Sequence, residues 1–311
     1  VTAPGPSGVA QGERAWDRTG TERPESEQTS GFVIEPGRSY GFFTDTTLCI
    51  GCKACEVACK QWNGLPADGF ALSAQSYDNT RQLSATTWRH VAFIEQFDPG
   101  RFELPSPDGV REQWAEPGQR WLLMSDVCKH CVNAPCLEAC PTGSIVRTEF
   151  DSVFVQQDIC NGCGYCVPAC PFGVVQVDRE RDGKAHKCTL CYDRLRDGLE
   201  PACAKSCPTD SIQFGPVDEL LERAKVRAVE LRGRGIPAYL YGSDGVMEDH
   251  ADTTALDGLN CFFLLIDKPE VYNLPPAPRR PSSNTGRGLL TSGLAAAGLI
   301  AAAFVAFRSR R

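Results

Sequence analysis

A chain of 311 residues with 42% hydrophobic content is long enough for one or two packed domains. Its net charge of −7 argues against a nucleic-acid partner, because nothing in the balance would neutralise a phosphate backbone. The outlier is cysteine, with 17 residues, all but one of them in short, regularly spaced runs that suit metal binding better than disulfides.

Residues 1–38 are rich in Gly, Pro, Ser, Thr and Glu and too poor in large apolar side chains to order themselves, so a disordered tail is expected. The tail has no apolar stretch of the secretory kind, and Arg14, Arg18 and Arg23 never form a twin-arginine pair. Export is therefore expected to rely on a partner's signal. Residues 64–81 read as loop, with Pro66, Gly69 and Asn79. Strands are expected at 87–97 and 120–126, with Pro- and Gly-rich turns between them. Residues 144–146 and 153–155 suggest a short β-hairpin. A charged amphipathic helix is expected between 215 and 235, on Leu220, Leu221, Ala224, Val226, Ala228 and Leu231. Residues 261–266 read as a buried strand.

The last segment differs in kind. Residues 288–307 are 20 consecutive uncharged residues, followed by Arg308-Ser309-Arg310-Arg311. As a helix they would span about 30 Å, the thickness of a bilayer's hydrocarbon core. Gly293, Ala297, Gly298 and Ala301 would let another helix approach closely. A buried soluble helix is the alternative, but the run lies between Arg287 and Arg308 with no evident core to enter. One transmembrane anchor is expected.

The cysteines form four groups: Cys49, Cys52, Cys55, Cys59; Cys128, Cys131, Cys136, Cys140; Cys160, Cys163, Cys166, Cys170; and Cys188, Cys191, Cys203, Cys207. The third reads C-x2-C-x2-C-x3-C-P, the bacterial ferredoxin run in which three cysteines hold one 4Fe–4S cluster and the fourth reaches a neighbour. The first repeats the spacing with Lys60 in place of proline. The second is C-x2-C-x4-C-x3-C-P and the fourth is C-x2-C-x11-C-x3-C-P. Paired C-x2-C motifs also build zinc sites. Four groups with the same C-x3-C ending, three of them closed by proline, favour iron–sulfur over a zinc scaffold. Each two-cluster module needs two groups that exchange fourth cysteines. Neighbours could pair, or the inner two could pair inside the outer two. The 19 residues between the second and third groups favour the nested arrangement.

Four stretches, Cys49-Ile50-Gly51-Cys52-Lys53-Ala54-Cys55, Cys128-Lys129-His130-Cys131, Cys136-Leu137-Glu138-Ala139-Cys140-Pro141 and Cys188-Thr189-Leu190-Cys191-Tyr192-Asp193-Arg194, resemble the four-cluster subunits of membrane-bound molybdenum or tungsten oxidoreductases. With the region from Phe262 to Tyr272, Leu274-Pro275 and the single apolar tail, the chain resembles most the iron–sulfur β subunits of formate dehydrogenases, over about residues 40 to 307. That resemblance implies crossed ligation. Cys49, Cys52, Cys55 and Cys207 would hold the cluster nearest a catalytic subunit. Cys59, Cys188, Cys191 and Cys203 would hold the second, and Cys128, Cys131, Cys136 and Cys170 the third. Cys140, Cys160, Cys163 and Cys166 would hold the fourth, nearest the membrane. In related nitrate reductases tryptophan stands at the position of Cys163 and the cluster is 3Fe–4S; cysteine here implies four full cubanes.

Among the other candidates, Cys261 is expected to be a small buried hydrophobe. His130 either tunes a cluster by hydrogen bonding or merely packs beside it. Lys53, Lys129, Lys187 and Lys205 either favour the reduced clusters by their charge or are solvated surface residues. Asp45, Trp62 and Tyr192 are expected to be structural. The reading is thus an α+β protein with two ferredoxin-like 4Fe–4S modules, a β-rich connecting segment and a C-terminal transmembrane helix. The outer module would comprise residues 39–127 and 171–215 and the inner one 128–170. A helix-and-strand extension (216–274), a linker (275–287), the anchor (288–307) and a basic tail (308–311) would follow. No acid/base pair or nucleophile asks for a catalytic role, so the expected work is electron transfer. The resemblance implies that a molybdopterin subunit carrying molybdenum or tungsten supplies electrons from formate, and that a membrane cytochrome b or quinone-reducing subunit takes them. The rival within this class is a subunit of a hydrogenase or another molybdoenzyme. Arginines flank the anchor equally on both sides, so sidedness rests on the resemblance, which puts the clusters outside and the tail in the cytoplasm.

Overall fold

The computed structural model describes residues 33–69, 77–78, 80–96, 120–243, 246–247, 251–252 and 254–308. The expected tail over 1–32, part of the expected loop (70–76 and 79), the turn region 97–119 and the basic tail from 309 lie outside the described residues. The compact unit that starts at Pro36 carries every cysteine of the chain.

Strands β1 (Tyr40–Asp45), β8 (Ile212–Pro216), β9 (Tyr239–Tyr241) and β12 (Cys261–Leu265) form a four-stranded sheet in the order β8–β1–β12–β9. Every residue of β1 and β12 is buried, as in a strand covered on both faces. β1 runs parallel to β12, with Phe42 beside Cys261 and Phe43 beside Phe262. On its other edge it runs antiparallel to β8, with Thr44 beside Ile212. The expected strand 261–266 is β12, one residue shorter. Because β12 pairs directly with β1, the segment after residue 216 completes the central sheet rather than extending from it.

Helix α6 (Val217–Gly233) packs on β1, β8 and β9. Its buried stripe is Leu220, Ala224, Ala228 and Leu231, spaced at i, i+4, i+8 and i+11. Val226, counted in the expected apolar face, is instead 69% exposed. Arg38 reaches back to the first turn of α6, 3.0 Å from Asp218 and 2.9 Å from Glu219. Residues 36–38, expected to be tail, therefore belong to the fold.

Antiparallel pairs surround this sheet. The longest joins β2 (Arg89–Gln96) to β3 (Arg120–Val127), close to the expected strands. The expected hairpin is β4 (Ile145–Arg147) with β5 (Val153–Val155). A second hairpin, β6 (Gln176–Asp178) with β7 (Lys184–His186), has no counterpart in the sequence reading. A two-residue pair, β10 (Val246–Met247) with β11 (Ala251–Asp252), lies before β12.

Proline sets helix length. The helices that carry cysteines of the three C-P groups, α2 (Pro135–Glu138), α3 (Cys166–Ala169) and α5 (Ala202–Lys205), last four residues each. Where Lys60 replaces proline, α1 (Ala54–Trp62) continues for nine. The Lys60 ammonium then ties the following loops, donating to Pro66 O (3.0 Å), Asp68 Oδ1 (2.9 Å), Thr86 O (2.9 Å) and Thr87 Oγ1 (3.0 Å). α4 (Tyr192–Arg196) lies between the fourth group's two cysteine pairs. α7 (Thr285–Arg308) is the last element, and Leu289, Leu294, Leu299 and Ile300 on it are exposed. It is long and apolar enough to cross a membrane, with a mean hydropathy of 2.1.

Candidate functional site

The first C-x2-C of each group has a left-handed residue just before its second cysteine: Gly51 (φ 68°), His130 (φ 44°), Gly162 (φ 70°) and Leu190 (φ 59°). This reversal folds the second thiol back beside the first. A side chain is tolerated at two of the four positions but not at Gly162, where a Cβ would stand 1.9 Å from the carbonyl oxygen of Gly183.

The secondary structure then joins cysteines far apart in sequence. β1 and β8 are paired, Cys49 follows β1 and Cys207 precedes β8, so those two thiols meet at one end of the sheet. One cavity there is lined by Cys49, Cys52, Cys55 and Cys207. The β4–β5 hairpin does the same for Cys140 and Cys160, which line a second cavity with Cys163 and Cys166. Packing of α2 on α3 brings together a third, lined by Cys128, Cys131, Cys136 and Cys170. Packing of α1 on α5 sets Cys59 near Cys203, and Cys188 and Cys191 lie in mutual electrostatic reach of both. Among the described residues no three His, Cys, Asp or Glu side chains close on a point as a single metal ion requires. Four thiols facing one another around a common space suit a polynuclear group.

Polar groups also point to an anionic, sulfur-rich guest. His130 is fully buried; its Nδ1 accepts the Val153 N–H at 3.0 Å, which leaves the proton on Nε2. That Nε2 has no partner among the described residues, and His130 lines the third cavity. Burial, with Lys187 and Arg147 nearby, holds the imidazole well below its usual value and therefore neutral. Donors already face the sulfurs. Ala185 N lies 3.4 Å from Cys160 Sγ, Leu190 N 3.3 Å from Cys188 Sγ and Ser144 Oγ 3.2 Å from Cys140 Sγ. Burial pushes most of the thiols up, Cys55 and Cys136 to about 12. Cys140 is the exception: its slight burial is outweighed by the Ser144 and Thr142 hydroxyls and nearby amides, which bring it to about 7.

The lysines divide. Lys205 is exposed. Lys129 and Lys187, for which a solvated place was an open reading, are instead buried at 1% and 2% exposure. Lys129 is neutralised by Asp126 and lies over the rings of Phe263 and Phe172. The Lys187 ammonium donates to Cys188 O (3.0 Å) and to the Val153 carbonyl, and stands 3.6 Å from Cys128 Sγ. Lys53 is partly exposed beside Glu56 and Asp78. Cys261 is wholly buried in β12, outside the four sets. Asp45 holds Arg227 at 3.0 Å, Trp62 donates to Asp193 at 2.8 Å and Tyr192 donates to Glu149 at 3.1 Å. All three serve the scaffold. The residue the sequence reading missed is Arg89, a fully buried guanidinium at the start of β2. The signal was a charge in period-two register with Val91 and Phe93 on one face of the strand.

Two matches to the 4Fe-4S dicluster domain cover residues 48–144 and 119–217. The chain is 38% identical over 263 residues to the nitrate-inducible formate dehydrogenase iron–sulfur subunit of Escherichia coli, covering 83% of this chain and 79% of that one. A formate dehydrogenase iron–sulfur subunit of Haemophilus influenzae is 38% identical over 240 residues, 76% of this chain and 68% of that one. One chain of the anaerobic dimethyl sulfoxide reductase of Escherichia coli is 34% identical over 184 residues, 59% of this protein and 77% of that one.

Proposed function

The chain belongs to the family of formate dehydrogenase iron–sulfur subunits, and on that premise we propose that it carries electrons from a catalytic molybdenum or tungsten subunit, through four 4Fe–4S clusters, to a membrane cytochrome b or quinone-reducing subunit. It is an electron-transfer subunit. When bound, each cluster supplies a one-electron carrier. The four cysteine sets are the ligands: Cys49, Cys52, Cys55, Cys207; Cys59, Cys188, Cys191, Cys203; Cys128, Cys131, Cys136, Cys170; and Cys140, Cys160, Cys163, Cys166. Packing of α1 on α5 and of α2 on α3 supports an inner module nested within an outer one.

The observation that carries the reading is where the thiols meet solvent. Cys52 and Cys163 are the exposed cysteines, one in the first set and one in the fourth. All four of the second set are buried, as are Cys128, Cys131 and Cys136 of the third. A wire needs accessible ends and insulated inner stations, and this gradient supports the order. Insulation also keeps water from the inner stations, and the amide and hydroxyl donors on the sulfurs favour the more negative, reduced state. α7 then anchors the chain in the bilayer, with the clusters on the outer face and the tail in the cytoplasm.

Cys163→Ser tests the order. It leaves Cys140, Cys160 and Cys166, enough for a 3Fe–4S form with a raised potential. Formate oxidation with an artificial dye that collects electrons near the catalytic subunit should survive, while delivery to quinone changes strongly. Electron paramagnetic resonance should show the conversion of one cluster. Collapse of dye reduction with the other three clusters intact would show that the order is wrong.

A further inference from the structure

Arg89 is among the largest fully buried side chains of the described residues, at 1% exposure. It opens β2 opposite Val127 of β3, and its Cζ lies 4.7 Å from the centre of the Phe42 ring. Nη1 donates to Ser125 Oγ at 3.1 Å and weakly to Ser125 O at 3.4 Å. Nε and Nη2 are buried and, among the described residues, have no hydrogen-bond partner. No carboxylate of the described residues forms an ion pair with Arg89. A guanidinium stays charged at any working pH, and burying such a charge without an anion is strongly unfavourable. Its acidic neighbours are cysteines: Cys55 of the first set, and Cys59, Cys188 and Cys203 of the second. Ser125 extends the link, since its hydroxyl accepts from Arg89 and lies 3.2 Å from Cys55 Sγ.

We propose that Arg89 is the counter-ion shared by the first two clusters, a buried cation at their junction whose two unspent donors and charge favour the reduced state of both. The proposal rests on the cysteine sets assigned above. The arrangement recurs at the next junction. Lys187, equally buried, stands 3.6 Å from Cys128 Sγ of the third set and donates to the carbonyl of Cys188, a member of the second. Both cations therefore adjoin the second set, Arg89 together with the first and Lys187 together with the third. Arg89 is thus a positioning and tuning residue that acts through cluster potential, and the fold is held partly by the clusters' own charge.

The test is a redox titration followed by electron paramagnetic resonance on the complete, anaerobically purified complex, with iron counted in each preparation. In Arg89→Gln two of the four cluster signals should become harder to reduce by at least about tenfold, which is about 59 mV for a one-electron couple. The other two should stay in place. Arg89→Lys, which keeps the charge, should restore at least half of that shift. Lys187→Gln should move two signals, one of them shared with Arg89→Gln. Full iron with four unmoved signals would overturn the proposal, as would an equal shift of all four or two pairs with no member in common. If Arg89→Gln sheds iron, Arg89→Lys and Lys187→Gln carry the test, and a shift of more than tenfold in Arg89→Lys at full iron contradicts it. Failure of the four-cluster reading is distinguishable from this, as wild-type protein with fewer than about sixteen irons and fewer than four cluster signals.

Discussion

Two glycines on either side of Cys163 give a matched pair for testing how the ligand loops are built. Gly162 and Gly164 both have left-handed backbones, at φ 70° and φ 80°. Changing either to alanine imposes the left-handed penalty of roughly 1–2 kcal/mol. The surroundings differ. At Gly164 the nearest atom to a new Cβ is Val177 Cγ2 at 3.8 Å, an ordinary contact. At Gly162 the Cβ would stand 1.9 Å from the Gly183 carbonyl oxygen, in the turn between β6 and β7. Backbone cannot swing aside as a side-chain tip can, so the whole turn must shift. That shift pulls Ala185 N, two residues on, away from Cys160 Sγ. Overpacking of this kind costs roughly 1–3 kcal/mol beyond the penalty the two variants share. Iron loss that proceeds through opening of this loop should then run roughly 5–150-fold faster in Gly162→Ala than in Gly164→Ala. The assay is the anaerobic rate of iron transfer to a chelator, with resonance spectra to show that the fourth cluster goes first. Equal rates in the two variants would refute the reasoning, as would initial loss from a different cluster.

Three further outcomes follow from the packing. Leu220→Ala on α6 should cost about 2–5 kcal/mol in denaturant unfolding, because Leu220 is fully buried against the sheet, while Val226→Ala on the exposed face should stay within about 0.5 kcal/mol. Lys60→Pro should cost about 3 kcal/mol or more and open the loop after α1 to proteolysis, since proline breaks the helix and removes the ammonium that ties Pro66, Asp68, Thr86 and Thr87 together. Truncation after Asn284 should release the chain from membranes in fractionation with its iron intact. Ending at Leu274 instead removes the Pro275 carbonyl that accepts the buried Tyr241 hydroxyl at 2.6 Å, at a further cost of about 1–3 kcal/mol.

The cysteine spacing made the chemistry legible because ligand loops are local: two residues between thiols and a helical turn to the next are fixed by backbone geometry. The helix lengths, four residues in the three C-P groups and nine where Lys60 stands, were seen only in the structure. The central sheet was half visible. β12 is a continuous apolar run, but β1 is six residues without alternation, and its partner lies more than 200 residues away, so only tertiary pairing reveals it. The β6–β7 hairpin is hidden by its charged sequence, since Lys184 and His186 are strand residues chosen by contacts with Gln157 and Asp182. Left-handed His130 and Leu190 could not be read from residue type as Gly51 and Gly162 can. The fate of Lys187 and Arg89 was beyond sequence for another reason. Their partners, Val153 and Cys128 for Lys187 and Ser125 for Arg89, come from distant segments that meet only in the fold.

The central claim is that sixteen cysteines hold four cubanes, and elemental analysis with acid-labile sulfide on anaerobically purified protein tests it most directly. About sixteen irons and sixteen sulfides per chain, with four separable resonance signals on reduction, are expected. A folded chain that sustains electron transfer while holding about half that iron, or zinc in its place, would contradict it.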